Sequence, residues 1–318
     1  MRPRRVVPAV LAVLLATGCQ GGHRDGAPAG GGTAVPAVSP ETSAQVLAAY
    51  VRRYNKAVTA GDTTAWRALG ADAFDATAEA ALRRGGGRPP RLGAISLRNP
   101  VLYVPRLRGL PRWFAVSALE RRGRTERPVF AVFEEKTARL GWRLASQVYF
   151  TGRPPRIATD PQGYAYTVEP GSAASPAAPA ALPAAHTAYL DRGDERALRP
   201  GAAGRAWRQA EARQEKQLRA HEVLVAGRSS PTGYPVYALR TTDGGAIVTY
   251  SLRRTTTYTA AGSGDVAATP ADVRAYLHGR TGHRVTASWV WRAVAYLPVR
   301  GAASVLIEDF DLASAQVS

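Results

Sequence analysis

The residue whose type and surroundings point to a specific reaction is Cys19, the only cysteine in the 318-residue chain. A thiolate is a nucleophile, and a lone cysteine has no partner for an internal disulfide. It follows two small residues, Thr17 and Gly18. Upstream lie a cationic segment, residues 1–5, and an apolar run of eleven residues, 6–16. Because a membrane-spanning helix needs roughly 20 apolar residues, this order predicts a secretory signal instead.

The end of that signal, Leu15-Ala16-Thr17-Gly18-Cys19, resembles the lipobox of bacterial lipoproteins, although Ala16 stands where leucine is commoner. The resemblance implies diacylglycerol on the Cys19 sulfur and cleavage before Cys19. Residues 1–18 are then a lipoprotein signal peptide, and the mature chain is lipid-anchored on the extracytoplasmic face of the cell membrane. The alternative is an ordinary signal peptide with an incidental cysteine. An exposed lone thiol is prone to oxidation, however, and a thioether to lipid removes that liability.

Other chemistries lack an assembled motif. A zinc site needs three or four converging ligands, but His278 and His283 are separated by Gly279 and Gly282, so no helix presents them together. His186 is expected to cap or line a helix end. The chain has no Gly-x-Ser-x-Gly elbow and no nucleotide-binding glycine loop. We therefore predict no catalytic residue, no metal and no cofactor.

Two groups of acidic residues are candidate sites for Ca²⁺ binding or for general acid–base catalysis. They are Glu134-Glu135 and the cluster of Glu308, Asp309 and Asp311. Because neighbours in a strand point to opposite faces, Glu308 and Asp309 cannot both line one site. The pattern favours a solvated strand edge for these carboxylates.

Tryptophan offers a binding surface for apolar or sugar ligands. Trp289 and Trp291 share one face of a predicted strand, and two adjacent indoles are hard to bury completely. They are the candidate pocket residues. The alternative is that their spacing reflects a hydrophobic core.

The formal charge of +18 falls to +15 once Arg2, Arg4 and Arg5 leave with the signal peptide. A basic surface attracts anionic partners, and outside a membrane these are lipid headgroups and cell-wall polyanions. Export makes nucleic acid a poor partner. We expect weak contact with anionic envelope polymers or lipids, the alternative being a solvated basic surface without a partner. The sequence does not identify a protein partner.

Composition and periodicity predict a tether and two α+β domains. Residues 19–42, rich in Gly and Pro, read as a lipidated flexible tether. The first domain is predicted over residues 43–168 and the second over 184–318. The Ala/Pro/Ser-rich residues 169–183 are the predicted linker.

In the first half, residues 43–60 carry one apolar stripe at helical spacing. Gly61 ends this helix, while Asp62 and Asp72 are predicted to cap two shorter ones. The apolar period then changes to two. Strands are predicted at residues 94–97, 101–104, 113–119, 129–133 and 142–150, with 129–133 central because it is apolar on both faces.

The second half repeats this plan with a polar helix at residues 205–221. Strands are predicted at residues 223–226, 236–241, 246–257, 285–297 and 303–310. Asp243-Gly244-Gly245 indicates a tight hairpin. Trp142-Arg143-Leu144-Ala145 is similar to Trp291-Arg292-Ala293-Val294, which suggests a diverged duplication.

A helix followed by a curved antiparallel sheet resembles the cone of NTF2-like and cystatin-like domains. Two segments are similar to the opening helix of that superfamily: Tyr50-Val51-Arg52-Arg53-Tyr54-Asn55-Lys56-Ala57 and Gly61-Asp62. The exported region also resembles actinobacterial lipoproteins of unknown function. Neither resemblance implies an activity or assigns a catalytic residue.

Two functions follow as hypotheses. The leading one is a membrane-anchored, non-catalytic binding or scaffolding module of the cell envelope, with a cell-envelope assembly factor whose basic surface docks on polyanions as a further possibility. The alternative is an NTF2-like enzyme or small-ligand binder with an acid–base residue in an apolar cone. Cones filled by their own side chains favour scaffolding, whereas an open cone with a buried Asp, Glu or His favours the alternative.

Overall fold

The computed structural model describes residues 33–150, 152, 155–169, 171, 178–266 and 268–318. Within them, α-helices pack against antiparallel sheets, so the predicted α+β class is confirmed. Residues 34–318 form one compact unit. The predicted signal peptide, residues 1–18, and Cys19 lie outside the described residues. None of the described helices is both long and apolar enough to cross a membrane.

The ordered fold begins earlier than predicted. Strand β1 (Val35–Pro36) pairs antiparallel with β3 (Arg106–Leu107). Ser39 then caps the first helix by accepting a hydrogen bond from the Thr42 backbone N–H at 3.1 Å. The predicted tether boundary at residue 42 therefore lies inside the fold, because a strand pairing and a helix cap already hold these residues.

Three helices open the first half: α1 (Pro40–Ala60), α2 (Thr63–Arg67) and α3 (Asp72–Arg84). Gly61 ends α1 in the left-handed conformation, with φ of 66°. As predicted, Asp62 caps α2, its Oδ1 accepting a hydrogen bond from the Ala65 N–H at 2.9 Å. Ala71, rather than the predicted Asp72, occupies the N-cap position of α3.

The first sheet has the strand order β2-β4-β5-β6. Its strands are β2 (Ile95–Tyr103), β4 (Arg112–Arg122), β5 (Thr125–Glu135) and β6 (Arg143–Tyr149). As the sequence predicts, residues 129–133 lie in a central strand that is buried on both faces. One face of β5 packs on the helices and the other packs on the second half.

The second half contains helices α4 (Leu182–Arg192), α5 (Ala202–Arg219) and α6 (Ala271–Leu277). Its strands are β7 (Leu198–Arg199), β8 (Val223–Pro231), β9 (Tyr237–Arg240), β10 (Ala246–Ala260), β11 (Arg284–Leu297) and β12 (Ala303–Val317). They pair in the order β7-β12-β11-β10-β8, with β9 on β10. The predicted hairpin at Asp243-Gly244-Gly245 joins β9 to β10.

The two halves share one strand order. The four main strands of the second half, β8-β10-β11-β12, repeat β2-β4-β5-β6 in both sequence and pairing. Each final strand also receives a short parallel partner from a segment between two helices. These partners are β7, between α4 and α5, on β12, and Gly70, between α2 and α3, which bridges Leu144 of β6. The two similar segments that begin at Trp142 and Trp291 lie on strands that are not equivalent. Most of the first lies on β6, the fourth strand of its order, and the second lies on β11, the third strand of its order. Topology rather than that local likeness supports a duplication.

The halves meet through a shared hydrophobic core. Trp113, Phe130 and Val132 of the first sheet pack with Tyr237 and Val294 of the second. Residues 155–168 run across both halves, since Ala165 bridges Pro105 while Ile157 bridges Thr241. Helix α4 already begins at Leu182, within the predicted linker 169–183. That the halves form separable domains stays a prediction.

Candidate ligand-binding cavity

A cavity of about 570 Å³ lies in the first half, between its three helices and the face of its sheet that they cover. Side chains from β11 and β12 of the second half complete one wall. Ligand sites typically enclose roughly 300–1,000 Å³. The cavity is therefore large enough for a small organic molecule.

Aromatic rings form the helical side of the cavity. Tyr50 and Tyr54 lie one turn apart on α1, with ring centroids 6.2 Å apart. Trp66 of α2 lies 6.2 Å from Tyr54 and is fixed by donating its indole N–H to the Ala78 carbonyl at 3.0 Å. Phe74 of α3 adds a fourth ring. The i, i+4 spacing on α1 places both phenols on the face that the helix turns toward the sheet.

The sheet side contributes a buried carboxylate, Glu120, whose residue is 5% exposed. Its Oε1 accepts hydrogen bonds from Tyr149 Oη and Arg122 Nη2, both at 3.0 Å. Its Oε2 accepts from Gln147 Nε2 and Tyr149 Oη, both at 3.1 Å. Burial first, and the Glu120 charge second, raise the pKa of Tyr149, so this phenol stays a donor. Three donors thus share the two carboxylate oxygens, with the Tyr149 hydroxyl lying between them.

Two cations at the cavity have no carboxylate partner. Arg127 lies over the Tyr149 ring, with its guanidinium carbon 3.8 Å from the centroid. Arg84 comes from the last turn of α3. Within the part of the chain that the structure describes, neither forms a salt bridge, whereas Arg122 pairs with Glu120. The first-half wall therefore carries uncompensated positive charge.

Arg292 of β11 is the principal side chain from the second half, and it is 5% exposed. Its Nη1 donates to Thr77 Oγ1 at 3.3 Å, and its Nη2 forms salt bridges with Asp309 and Asp311. These carboxylates share one face of β12 while Glu308 points to the other, as strand alternation predicts. Among the described residues, Nε of Arg292 has no hydrogen-bond partner.

A second buried polar group at the cavity also lacks a partner. Tyr54 is 4% exposed, and its hydroxyl makes no hydrogen bond to any residue that the structure describes. Burial raises the pKa of Tyr54, which keeps it a neutral phenol. Leaving a buried hydroxyl unpaired costs about 1–3 kcal/mol. The cavity therefore offers a hydrogen-bonding position that a ligand can satisfy.

The predicted pocket at Trp289 and Trp291 is instead packed core. Trp291 is fully buried and Trp289 is 6% exposed, and neither lines the cavity. The Trp291 ring stacks on Phe310 at 4.6 Å and meets the edge of Trp207 at 5.3 Å. Side chains from α5 and β12 cover both indoles, which the local strand pattern does not reveal.

His186 and Glu308 also differ from expectation. His186, expected at a helix end, is completely buried within α4, and Glu308, expected at a solvated edge, is buried beside it. His186 Nε2 lies 3.0 Å from Glu308 Oε2, and its Nδ1 lies 3.0 Å from the Tyr250 hydroxyl. The pairing of two buried polar side chains overrides the preference of strand carboxylates for solvent.

Glu134, the other acidic candidate, lies where the two halves meet. It is 1% exposed, and its Oε2 accepts a hydrogen bond from Tyr237 of the second half at 2.7 Å. Lys136 forms salt bridges with both Glu134 and Asp72. Burial first, and then Asp72, raise the pKa of Glu134 to about 7. Within the described ranges, no cluster of three or more His, Cys, Asp or Glu is placed to hold a metal ion.

Sequence reasoning missed most of the cavity. In the sequence, Tyr50 and Tyr54 stand only within the predicted helix 43–60 and in the segment that resembles the opening helix of NTF2-like domains, and no motif marks Glu120. A signal for Glu120 exists, because Phe114, Val116 and Ala118 precede it at period two on the helix-covered face. A carboxylate continuing an apolar strand face is buried, and therefore paired.

The fold and cavity define an α+β protein with an internal site of ligand size. Residues 34–316 match the family model described as Domain of unknown function (DUF8094), and the chain belongs to this family.

Similar proteins cover nearly the whole chain. An uncharacterized lipoprotein of Streptomyces coelicolor is 28% identical over 96% of this chain and 94% of its own length. One from Streptomyces avermitilis is 27% identical, over 91% of this chain and 86% of its own length. A second S. coelicolor lipoprotein is 28% identical, over 96% and 92% respectively. The predicted resemblance to actinobacterial lipoproteins of unknown function is confirmed. No solved structure matches the chain significantly.

Proposed function

We propose that this protein is a membrane-anchored lipoprotein that binds a small organic molecule in the cavity of its first half, on the extracytoplasmic side. The signal ending at Cys19 and the names of the Streptomyces relatives support the anchor. The observation that carries the binding function is the cavity of about 570 Å³ with the buried, unpartnered Tyr54 hydroxyl at its wall. The second half, filled by its own side chains, acts as a scaffold that completes the cavity.

The geometry favours binding over catalysis. The rival function, an enzyme with an acid–base residue in an apolar cone, depends on Glu120, the buried carboxylate at the cavity. A general base needs a free lone pair within reach of the proton it removes. Three donors, Tyr149, Gln147 and Arg122, hydrogen-bond the Glu120 oxygens, so most of the lone pairs of this carboxylate are already used in holding the cavity wall together.

Co-purification tests the binding function. We expect native mass spectrometry of the purified lipoprotein to detect a bound small molecule. Ala81 of α3 lines the cavity, so Ala81→Phe should fill it and exclude that molecule. Ala48→Phe, at an exposed position of α1, is the matched control and should retain it. Equal retention by both variants would place the molecule elsewhere and contradict the proposal.

The anchor has its own test. Wild-type protein should incorporate a palmitate analogue and sediment with membranes, because two or three acyl chains anchor a protein stably. Cys19→Ser should do neither. An intact mass without lipid on wild-type protein, with both proteins cleaved at the same site, would contradict lipidation.

The anchored chain also makes weak, salt-sensitive contact with anionic envelope polymers or lipids. Arg52, Arg53, Arg83, Arg121 and Arg124 are exposed in the first half. Screening at 0.15 M salt limits exposed charges to a reach of about 8 Å, so binding to anionic vesicles should fade as salt rises. Binding that survives high salt would contradict this unselective contact.

A further inference from the structure

The charges around the cavity identify the class of ligand that it accepts. We infer that the ligand is an organic anion, with a flat apolar body held between the aromatic side chains and a carboxylate or phosphate group held by the cationic wall. This inference rests on the proposed binding function and deepens it.

The apolar body follows from the aromatic wall. Tyr50, Tyr54 and Trp66 are buried around the cavity, and Phe74 is partly buried there. Aromatic rings bind flat apolar groups by stacking and edge contacts. These rings pack against one another, and a fully polar ligand would leave the surfaces that they turn to the cavity without an apolar contact.

The negative charge follows from the ion pairs. Arg122 already compensates Glu120, and Arg292 already faces Asp309 and Asp311. Within the described residues, Arg84 and Arg127 have no carboxylate to balance them. A guanidinium presents its N–H groups in a planar fork that suits carboxylate and phosphate oxygens. The cavity is lined by four arginines (Arg84, Arg122, Arg127 and Arg292) and three carboxylates (Glu120, Asp309 and Asp311), so one anionic group completes the charge balance.

The hydrogen-bonding groups lead to the same class of ligand. Nε of Arg292 is an unpaired buried donor, and the Tyr54 hydroxyl, held neutral by burial, is a second. The carboxylate of Glu120 already accepts from three donors, Arg122, Gln147 and Tyr149, which leaves at most one lone pair for a ligand ammonium group. Oxyanions accept from such donors in short, charge-assisted hydrogen bonds. Asp309 and Asp311, which are about half exposed, are the groups that a cationic ligand would use instead.

A probe series with one body and four head groups tests this inference. The probes are 2-naphthoate, 2-naphthyl phosphate, 2-naphthol and 2-naphthylmethylammonium. They are titrated calorimetrically into the full lipoprotein reconstituted in phosphatidylcholine vesicles, with titrations into empty vesicles subtracted. Both anions should bind at least about tenfold more tightly than the neutral and cationic probes, because a charged hydrogen bond contributes about 1.5–3 kcal/mol. The ratio between the two anions distinguishes a carboxylate from a phosphate ligand.

Variants assign the preference to the cavity. Arg84→Met and Arg127→Met should each lower anion affinity several-fold and leave 2-naphthol affinity nearly unchanged. Arg139→Met, at an exposed position away from the cavity, is the matched control and should change neither. Tyr54→Phe removes an unpaired hydroxyl, so it should weaken anion binding without lowering the free energy of unfolding.

The failures are distinguishable. Neutral or cationic probes that bind as tightly as the anions, and that Ala81→Phe excludes, would overturn the anion inference while leaving the cavity a binding site. Anion binding that Ala81→Phe leaves intact, or that Arg139→Met weakens as much as Arg127→Met does, would also overturn it. Absence of binding by all four probes would overturn it as well. The co-purification test above then decides the proposed function separately.

Discussion

The first and second halves share a strand order but differ in what occupies the space between helices and sheet. In the first half that space is a cavity of about 570 Å³, whereas in the second it is filled by Trp207, Trp289, Trp291 and Phe310. The shared topology therefore encloses a space between helices and sheet in each half, and the volume of the side chains determines whether that space stays open.

Two strands in equivalent places show the cause. The helix-covered face of β11 carries Trp289 and Trp291, whereas that of β5 carries Val129 and Ala131. Indoles reach far from the sheet, and valine and alanine do not. Protein interiors pack to nearly crystalline density, and the indoles of β11 fill the second half to that density. In the first half the cavity opens beyond Val129, where Thr125 and Arg127 continue the same face of β5.

Each half also buries a carboxylate on the helix-covered side of its sheet. Glu120 of β4 lies at the cavity and collects donors from its own sheet. Glu308 of β12 is sealed against His186 of α4 and the Gly204 N–H of α5. A buried charge requires partners in both cases. Only the first-half carboxylate belongs to a wall that a ligand can reach.

Removal of a large core side chain from the second half should have the largest effect on stability. Trp291→Ala deletes a fully buried indole, and we expect the free energy of unfolding to fall by about 3–5 kcal/mol in urea titrations. Trp142→Ala, which truncates a partly buried indole of the first half, should cost less. Equal losses would mean that the second half is no more tightly filled than the first.

Cutting the polar link between the halves should have the next largest effect. Tyr237→Phe removes the hydrogen bond to buried Glu134 and should cost about 1–3 kcal/mol in the same titrations. Ligand affinity should not change, because Tyr237 is not part of the cavity wall. Tyr54→Phe should give the opposite pattern. A loss of both stability and affinity in either variant would contradict the separation of cavity and interface.

The interface should also make stability depend on pH. Burial and Asp72 raise the pKa of Glu134 from 4.5 to about 7, so the folded chain retains a proton that the unfolded chain releases. This contribution to stability is complete below about pH 4.5 and is lost as pH rises through 7. Wild-type protein should lose unfolding free energy as pH rises from 5 to 8, and Glu134→Gln should flatten this decline. The expected difference between the two proteins is about 1.4 kcal/mol or more, the free energy of a shift of one pKa unit. Glu126→Gln, in an exposed salt bridge, should leave the slope unchanged.

The smallest effect concerns the boundary of the halves. Limited proteolysis should cut within residues 169–183 before it cuts the helices or sheets, since the chain there is rich in Ala, Pro and Ser. Both fragments should stay associated, because Trp113, Phe130 and Tyr237 share one core. A single protected fragment that spans both halves would contradict a boundary at this position.

Local signals account for the predicted elements. Every predicted strand, from residues 94–97 to 303–310, overlaps a strand of the structure, although the two strands predicted at 94–97 and 101–104 are one strand, β2. Gly61, Asp62 and Asp243-Gly244-Gly245 occupy the predicted cap and turn positions. Caps and hairpins depend on a few adjacent residues, so sequence identifies them. Asp72 is the exception, because Ala71 already occupies the cap position of α3.

Period-two and helical patterns establish the α+β class and the order of its elements, since both follow from side chains only a few residues apart. They also establish that Glu308 and Asp309 face opposite sides of one strand. The location of the free space, by contrast, follows from the packing of distant segments. Tyr54, Glu120 and Arg292 meet at the cavity although more than two hundred positions separate the first from the last. Whether an indole lines a pocket or a core depends on what covers it, and for Trp291 that cover includes Trp207 of α5, which precedes it by more than eighty positions in the chain.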